Sequence, residues 1–338
     1  MNKHFRSLFY LSSVRKTRTI ACRNSNTMID YSSKPVQYIT LVLLAFTWGS
    51  SFILMKRGLM AFTPEEIAAY RIVCTTAVLL PFAGKHFKVF RGKDAGALFL
   101  TGLFGALFPY FLFVKAQTQI DSSLTGILNS TTPIFALLLS VFLFKQKVKP
   151  LSGLGVLAGF IGAAGLVAFG SENTFDWNAF NIYTLLPVLG AACYGANVNI
   201  VKLYLNNMKP MAISALSFLS VMPFALVYLI FYTDFFSKMA IADSQTLSSF
   251  GYITILAVAG TAIAVLIFNN LIKHTGALTA SSVTYMIPLF AILWGVLDGE
   301  SFTFIRFLFA LLILTGVGLI NTNRTLAEFR AKVLNKMP

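Results

Sequence analysis

The sequence predicts an all-α integral membrane fold: ten transmembrane helices arranged as two inverted five-helix repeats, with both termini cytoplasmic. Three observations carry that expectation. Of 338 residues, 57% are hydrophobic and 12% charged, with 33 Phe, whereas soluble domains carry about 25% charged residues. Apolar runs close to the ~20 residues that cross a hydrocarbon core recur along the chain. Finally, Asn129-Ser130-Thr131-Thr132-Pro133-Ile134-Phe135-Ala136 is echoed by Thr284-Tyr285-Met286-Ile287-Pro288-Leu289-Phe290-Ala291, a spacing of 155 from Pro133 to Pro288.

Residues 1–36 come first and differ from the rest. Lys3, Arg6, Arg15, Lys16, Arg18 and Arg23 precede the first acid, Asp30, among many Ser and Thr. That composition resembles an organelle transit peptide. A basic cytoplasmic tail, or translation beginning at Met28, is the preferred reading, because no long apolar run follows until Tyr38.

The apolar runs then occupy approximately 38–55, 67–83, 95–114, 122–144 and 151–169, followed by 182–203, 211–232, 250–272, 277–297 and 302–320. They divide into a first half, 37–169, a second half, 181–321, and a tail, 322–338. Thr63-Pro64-Glu65-Glu66 places a Thr cap, a Pro at the first helical position and a Glu three residues beyond the cap, which opens the second run. Arg71, further inside that run, is expected to snorkel back toward Glu65 and Glu66 at the interface, a role in binding substrate being the alternative.

The loops fix the direction. Lys85, Lys88, Arg91 and Lys93 follow run two, Lys145, Lys147 and Lys149 follow run four, Lys202 and Lys209 follow run six, and Lys273 follows run eight. Glu65, Glu66, Asp121, Glu172, Asp176, Asp234, Asp243, Asp298 and Glu300 occupy the other side. Lys and Arg gather on the cytoplasmic side, so the net charge of +15 reports topology and does not imply nucleic acid. Cys22, Cys74 and Cys193 have no pairing or metal-ligand spacing, so neither metal nor cofactor is expected.

A second repeat sets the symmetry. Trp48-Gly49-Ser50-Ser51-Phe52, Lys56 and Pro64 recur as Tyr194-Gly195-Ala196-Asn197-Val198, Lys202 and Pro210, spaced by 146 from Trp48 to Tyr194. Five runs per half make the second copy enter from the opposite side, as in alternating-access carriers. Pro133 and Pro288 free the carbonyls of Asn129 and Thr284 and are expected hinges.

With Trp48-Gly49-Ser50-Ser51-Phe52, Arg71, the Pro133 segment and Leu297-Asp298-Gly299-Glu300, residues 37–321 resemble the EamA-type drug/metabolite transporter superfamily. Phe144-Lys145-Gln146-Lys147 departs from its Gly-Glu pair. The resemblance implies secondary transport of metabolites such as amino acids, often efflux, through a cavity between the halves.

No acid falls mid-membrane in the sequence, and Lys56, Arg71 and Lys115 are read near the outer ends of their runs. The expected site is therefore neutral and aromatic. The candidates are Trp48 and Ser51, Tyr194 and Asn197, Asn129 within the stripe Thr125, Asn129 and Thr132, and Tyr285 within Ser281, Tyr285 and Pro288. Tyr110 and Asn269 are further candidates. The competing explanation is that Asn129 and Asn197 merely cross-link helices. Such a cavity suits a small zwitterionic or aromatic-bearing solute. Gly155, Gly159, Gly162 and Gly165, with Gly316 and Gly318, permit close helix approach, read as packing within a monomer in preference to a homodimer.

The expected function is a multi-pass secondary transporter in the plasma membrane, the inner membrane if the source is bacterial. It exports small organic metabolites. One alternative is a sugar-phosphate or nucleotide-sugar exchanger, which needs cations at the cavity, where only Lys115 and Lys273 come near. Another is a non-transporting receptor. An enzyme is not expected, since the runs hold no metal-ligand set or paired carboxylates.

Overall fold

The computed structural model describes residues 33–84, 92, 94–144, 150–169, 174–275 and 283–334. Ser281, Cys22, Glu172, and the loop cations at 85, 88, 91, 93, 145, 147 and 149 lie outside the described residues, as does the tail 1–32.

Helix α1 (Lys34–Gly58) leads to α2 (Pro64–Ala83). The expected capping box forms there: Glu66 N donates to Thr63 Oγ1 at 3.3 Å, and Thr63 N donates to Glu66 Oε2 at 2.7 Å. Helix α3 (Ala95–Ala116) contains a π-helical segment, Leu103–Leu107. Run four is interrupted, giving α4 (Ser122–Asn129) and α5 (Thr132–Phe144). Next come α6 (Pro150–Ala168) and α7 (Ile182–Tyr204), the latter capped by Asn181 Oδ1, which accepts from Tyr183 N and Thr184 N. Helix α8 (Pro210–Phe231) and the short α9 (Phe235–Ala240) precede α10 (Ser244–Ile272), which carries a second π segment, Val258–Ile263. The chain closes with α11 (Val283–Leu297) and α12 (Phe304–Leu334).

Eight helical stretches among the described residues are long and apolar enough to cross a membrane, with Ser122–Leu143 counted as one. Val283–Leu297 and Phe304–Ile320 are shorter apolar helices. No strand occurs among the described residues; Phe169 and Phe175 make one isolated bridge. Large apolar side chains such as Phe142, Leu154, Leu157, Phe224, Phe231 and Phe304 are exposed. A polytopic membrane protein presents such a surface to lipid.

The main helix contacts map onto one another when the halves are exchanged. Helix α1 packs on α11 as α7 packs on α5, and α3 packs on α7 as α10 packs on α1, while α2·α8, α4·α11 and α6·α12 map onto themselves. The two π segments fall at matching positions. The glycine motifs meet the proline segments crosswise, and at both places only a missing side chain allows the approach. A Cβ on Gly49 would lie 2.5 Å from Phe290 Cβ and 2.8 Å from Ile287 O, and one on Gly195 would lie 2.7 Å from Ala136 N. The Gly155 face of α6 is likewise filled from within the chain, by Gly316 of α12.

The two prolines behave differently. Ahead of Pro133 the helix breaks, and side chains take the released carbonyls: Thr132 Oγ1 donates to Asn129 O and Thr131 Oγ1 to Leu128 O, each at 2.7 Å. Such local hydroxyl bonds compete with helix and hold the turn. Pro288 sits inside the continuous α11.

Candidate functional site

A cavity of about 610 Å³ lies between the halves. Its walls come from α1 (Trp48), α3 (Thr101, Gly102, Gly105, Ala106, Tyr110) and α7 (Tyr194, Asn197, Val198, Val201). Helices α8 (Pro210, Ile213, Ser214, Ser217, Phe218) and α10 (Val265, Phe268, Asn269, Ile272) complete them. Trp48 packs edge-on to Phe268 at 5.0 Å, and Tyr194 stacks on Phe113 at 5.8 Å. From these mid-helix aromatics the cavity extends to the helix ends bearing Val201, Pro210 and Ile272, next to the exposed Lys202 and Lys209.

Polar groups converge on this space. Asn269 Nδ2 donates to Ser214 Oγ at 3.2 Å. Thr101 Oγ1, Asn197 Oδ1 and Ser217 Oγ are buried in the wall with no hydrogen-bond partner among the described residues. Buried polar atoms without partners are costly, and these three belong to residues that line the cavity. Among the described residues, none that lines the cavity is acidic.

Arg71 of α2 lies one side chain behind Tyr110. Its guanidinium carbon is 3.7 Å from the Tyr110 ring centroid, and Nε donates to Thr261 Oγ1 of α10 at 2.9 Å. At 7% exposure the side chain is buried in the bundle, and the expected snorkelling toward Glu65 and Glu66 does not occur. Those acids are already taken, Glu65 by Lys115 at 3.3 Å and Glu66 by Lys238 of α9 at 2.8 Å. The expectation that no ionisable group lies deep in the bundle is corrected accordingly.

Beyond Arg71 the opposite end is shut by ion pairs. Lys56 Nζ lies 2.6 Å from Asp298 Oδ2 and 2.9 Å from Glu300 Oε1, and Arg57 also pairs with Asp298. Glu300 further accepts from Ser122 N (2.9 Å), Ser122 Oγ (2.7 Å) and Ser123 N (3.0 Å). Gly299, at φ 85°, turns the chain so that Glu300 faces α4, and only glycine takes that conformation cheaply. Burial pushes the Glu300 carboxyl up, but Lys56 and the Ser122 and Ser123 donors prevail and hold it down at about 2. Arg306 and Asp121 pair nearby at 3.0 Å.

The model of the EamA-like transporter family matches residues 36–168 and again 181–322. Together the two matches cover most of the chain. It belongs to the EamA-like transporter family. Curated relatives of this EamA-like protein carry transporter names. "Uncharacterized transporter YdfC" of Bacillus subtilis (strain 168) is 29% identical over 145 residues, 43% of this chain and 47% of the relative, so that match spans about half of the relative's length. "Uncharacterized inner membrane transporter YedA" of Escherichia coli (strain K12) is 24% identical over 296 residues, 85% of this chain and 90% of the relative. A solved structure described as "Crystal structure of protein" superposes with a TM-score of 0.57 at 16% identity, covering 85% of this chain and 96% of its own. That likeness concerns the fold alone.

Within the EamA-like bundle, Trp48, Tyr194, Asn197, Tyr110 and Asn269 line the cavity. Ser51 does not: it is buried toward the closed end, donates to Thr47 O at 3.1 Å and faces Gly260 as Asn197 faces Gly105. Nor does Asn129, whose Oδ1 is buried at the α4–α5 break without a partner among the described residues. Tyr285 points away from the cavity, its hydroxyl donating to Val317 O of α12 at 3.1 Å. Sequence reasoning passed over Thr101, Ser217 and Phe268. Ser214 and Ser217, three apart on an apolar run, were a legible sign of an inward polar face.

Proposed function

We propose that this EamA-like protein is a ten-span secondary transporter carrying small organic metabolites such as amino acids out across the plasma membrane. It works as a monomer, by alternating access between inverted five-helix halves, with both termini in the cytoplasm. The cavity carries the proposal: it is built from both halves, reaches the Lys202 and Lys209 end and is closed by ion pairs at the other. Solute enters from the Lys end and meets Trp48, Tyr194 and Asn197. The halves then rock about the Gly49 and Gly195 crossings beside Pro288 and Pro133, and the Lys56–Glu300 cluster opens as the Lys end closes.

Flux in proteoliposomes is the test, with a panel of amino acids, amines, purines and sugar phosphates. Saturable flux of one of the first three classes is expected, with Trp48→Ala or Asn197→Ala raising KM about tenfold, the loss of one stacking or hydrogen-bond contact. Phosphate-only flux overturns the substrate class, and absence of flux for the whole panel overturns transport.

A further inference from the structure

Resting on the transport role above, we propose that Arg71 makes the cavity selective for organic anions, so that the solute carries a carboxylate and a net negative charge. The other described cations of the closed end each have a carboxylate: Lys56, Arg57, Lys115, Lys238 and Arg306. Arg71 has none among the described residues. Its contacts are the Thr261 hydroxyl, the Met55 sulfur at 4.0 Å and the face of Tyr110. A cation–π contact compensates only part of the cost of burying a guanidinium, which leaves an unneutralised positive charge one side chain behind a wall that contains no acid.

Two further observations point the same way. Thr101 and Ser217 belong to the wall, each less than a tenth exposed, and their hydroxyls, buried without partners among the described residues, can donate to a carboxylate on rotating into the cavity. The entrance is flanked by the exposed Lys202 and Lys209, which add positive charge at the mouth. A carboxylate held in the cavity at about 7 Å from the guanidinium would, at an effective dielectric of about 20, be preferred tenfold or more over a neutral solute.

The test compares four solutes of one shape, 3-phenylpropionate, phenylalanine, 3-phenylpropylamine and 3-phenylpropionamide. Binding to the purified full-length protein is read from its tryptophan fluorescence, to which Trp48 in the cavity wall contributes, and uptake is measured in proteoliposomes. Phenylpropionate is expected to bind at least about tenfold tighter than its amide, with the amine weakest, and its uptake to accelerate under an inside-positive potential. Arg71→Gln should abolish the acid-over-amide preference while leaving amide binding, and Arg71→Lys should keep part of it. Equal binding of acid and amide by the native protein overturns the proposal even if Arg71→Gln does not fold, and so does an unchanged preference in a folded Arg71→Gln. Transport of the amine and amide but not the acid overturns it while transport stands, whereas no binding or flux of any member removes both.

Discussion

At the residue scale, side chains of the same chemical type have different surroundings. Asn197 and Asn199 are two apart on α7. Asn199 spends its amide on Ala136 O (2.9 Å) and Gly195 O (3.0 Å), tying α7 to α5, while Asn197 leaves an oxygen unpartnered in the cavity wall. Tyr194 lines the cavity, and Tyr285 bonds to α12. Tyr285→Phe is accordingly expected to cost about 1 kcal/mol of stability, a typical net hydrogen bond, and to leave KM unchanged. Melting of the purified protein and proteoliposome flux together check this, and a raised KM would return Tyr285 to the binding site. The aromatic and amide types were legible from the sequence as membrane-depth polar groups. Which of them face the cavity was not, because a polar side chain on a membrane helix turns inward equally well toward a cavity or toward a neighbouring helix, and packing alone decides between them.

At the element scale, two features hold the closed end and the crossings. The Glu300 carboxylate joins α1, α4 and the α11–α12 turn. Because its pKa in the folded protein lies near 2, below the ordinary value of 4.5, its contribution to stability is complete above the unfolded value and is lost as pH falls from about 4.5 toward 2. Melting curves across that window should drop for the native protein and stay flatter for Glu300→Gln; parallel curves would remove the ionised carboxylate from the closure. Gly195→Ala brings a methyl into the backbone of α5, and overpacking of this kind costs about 1–3 kcal/mol. The same substitution at Gly153, which has open space around it, serves as the control, and equal melting temperatures would contradict the crossing. The capping box at Thr63 and the glycine faces of α6 and α12 were readable because caps and small residues act over a few neighbouring positions. The different fates of Pro133 and Pro288 were not, since the outcome depends on whether local hydroxyls take over the released carbonyls.

At the scale of the whole molecule, the exchange-symmetric packing contains an asymmetric state, open at one end and tied by charges at the other. In a background lacking the native cysteines, Ser214→Cys and Asn269→Cys should react with a membrane-impermeant maleimide from the Lys209 side only. Glu300→Gln should reduce that reactivity several-fold by releasing the opposite closure, at a few kcal/mol of population shift at most. Unchanged labelling would show that the ion pairs do not govern access.

The sequence by itself determined the helical membrane class, the twofold internal repeat and the family resemblance, because hydrophobic run length and residue spacing are properties of the linear chain. It also singled out Trp48, Tyr194 and Asn197. Tertiary structure alone decided that Arg71 is buried against Tyr110 and does not pair with Glu65 or Glu66, that Glu300 reaches Lys56 and the start of α4, and that Tyr285 turns to α12. Each of those outcomes is a competition among partners far apart in sequence, Lys238 against Arg71 for Glu66 being one. Such a competition is resolved only when the helices carrying the competitors are packed side by side.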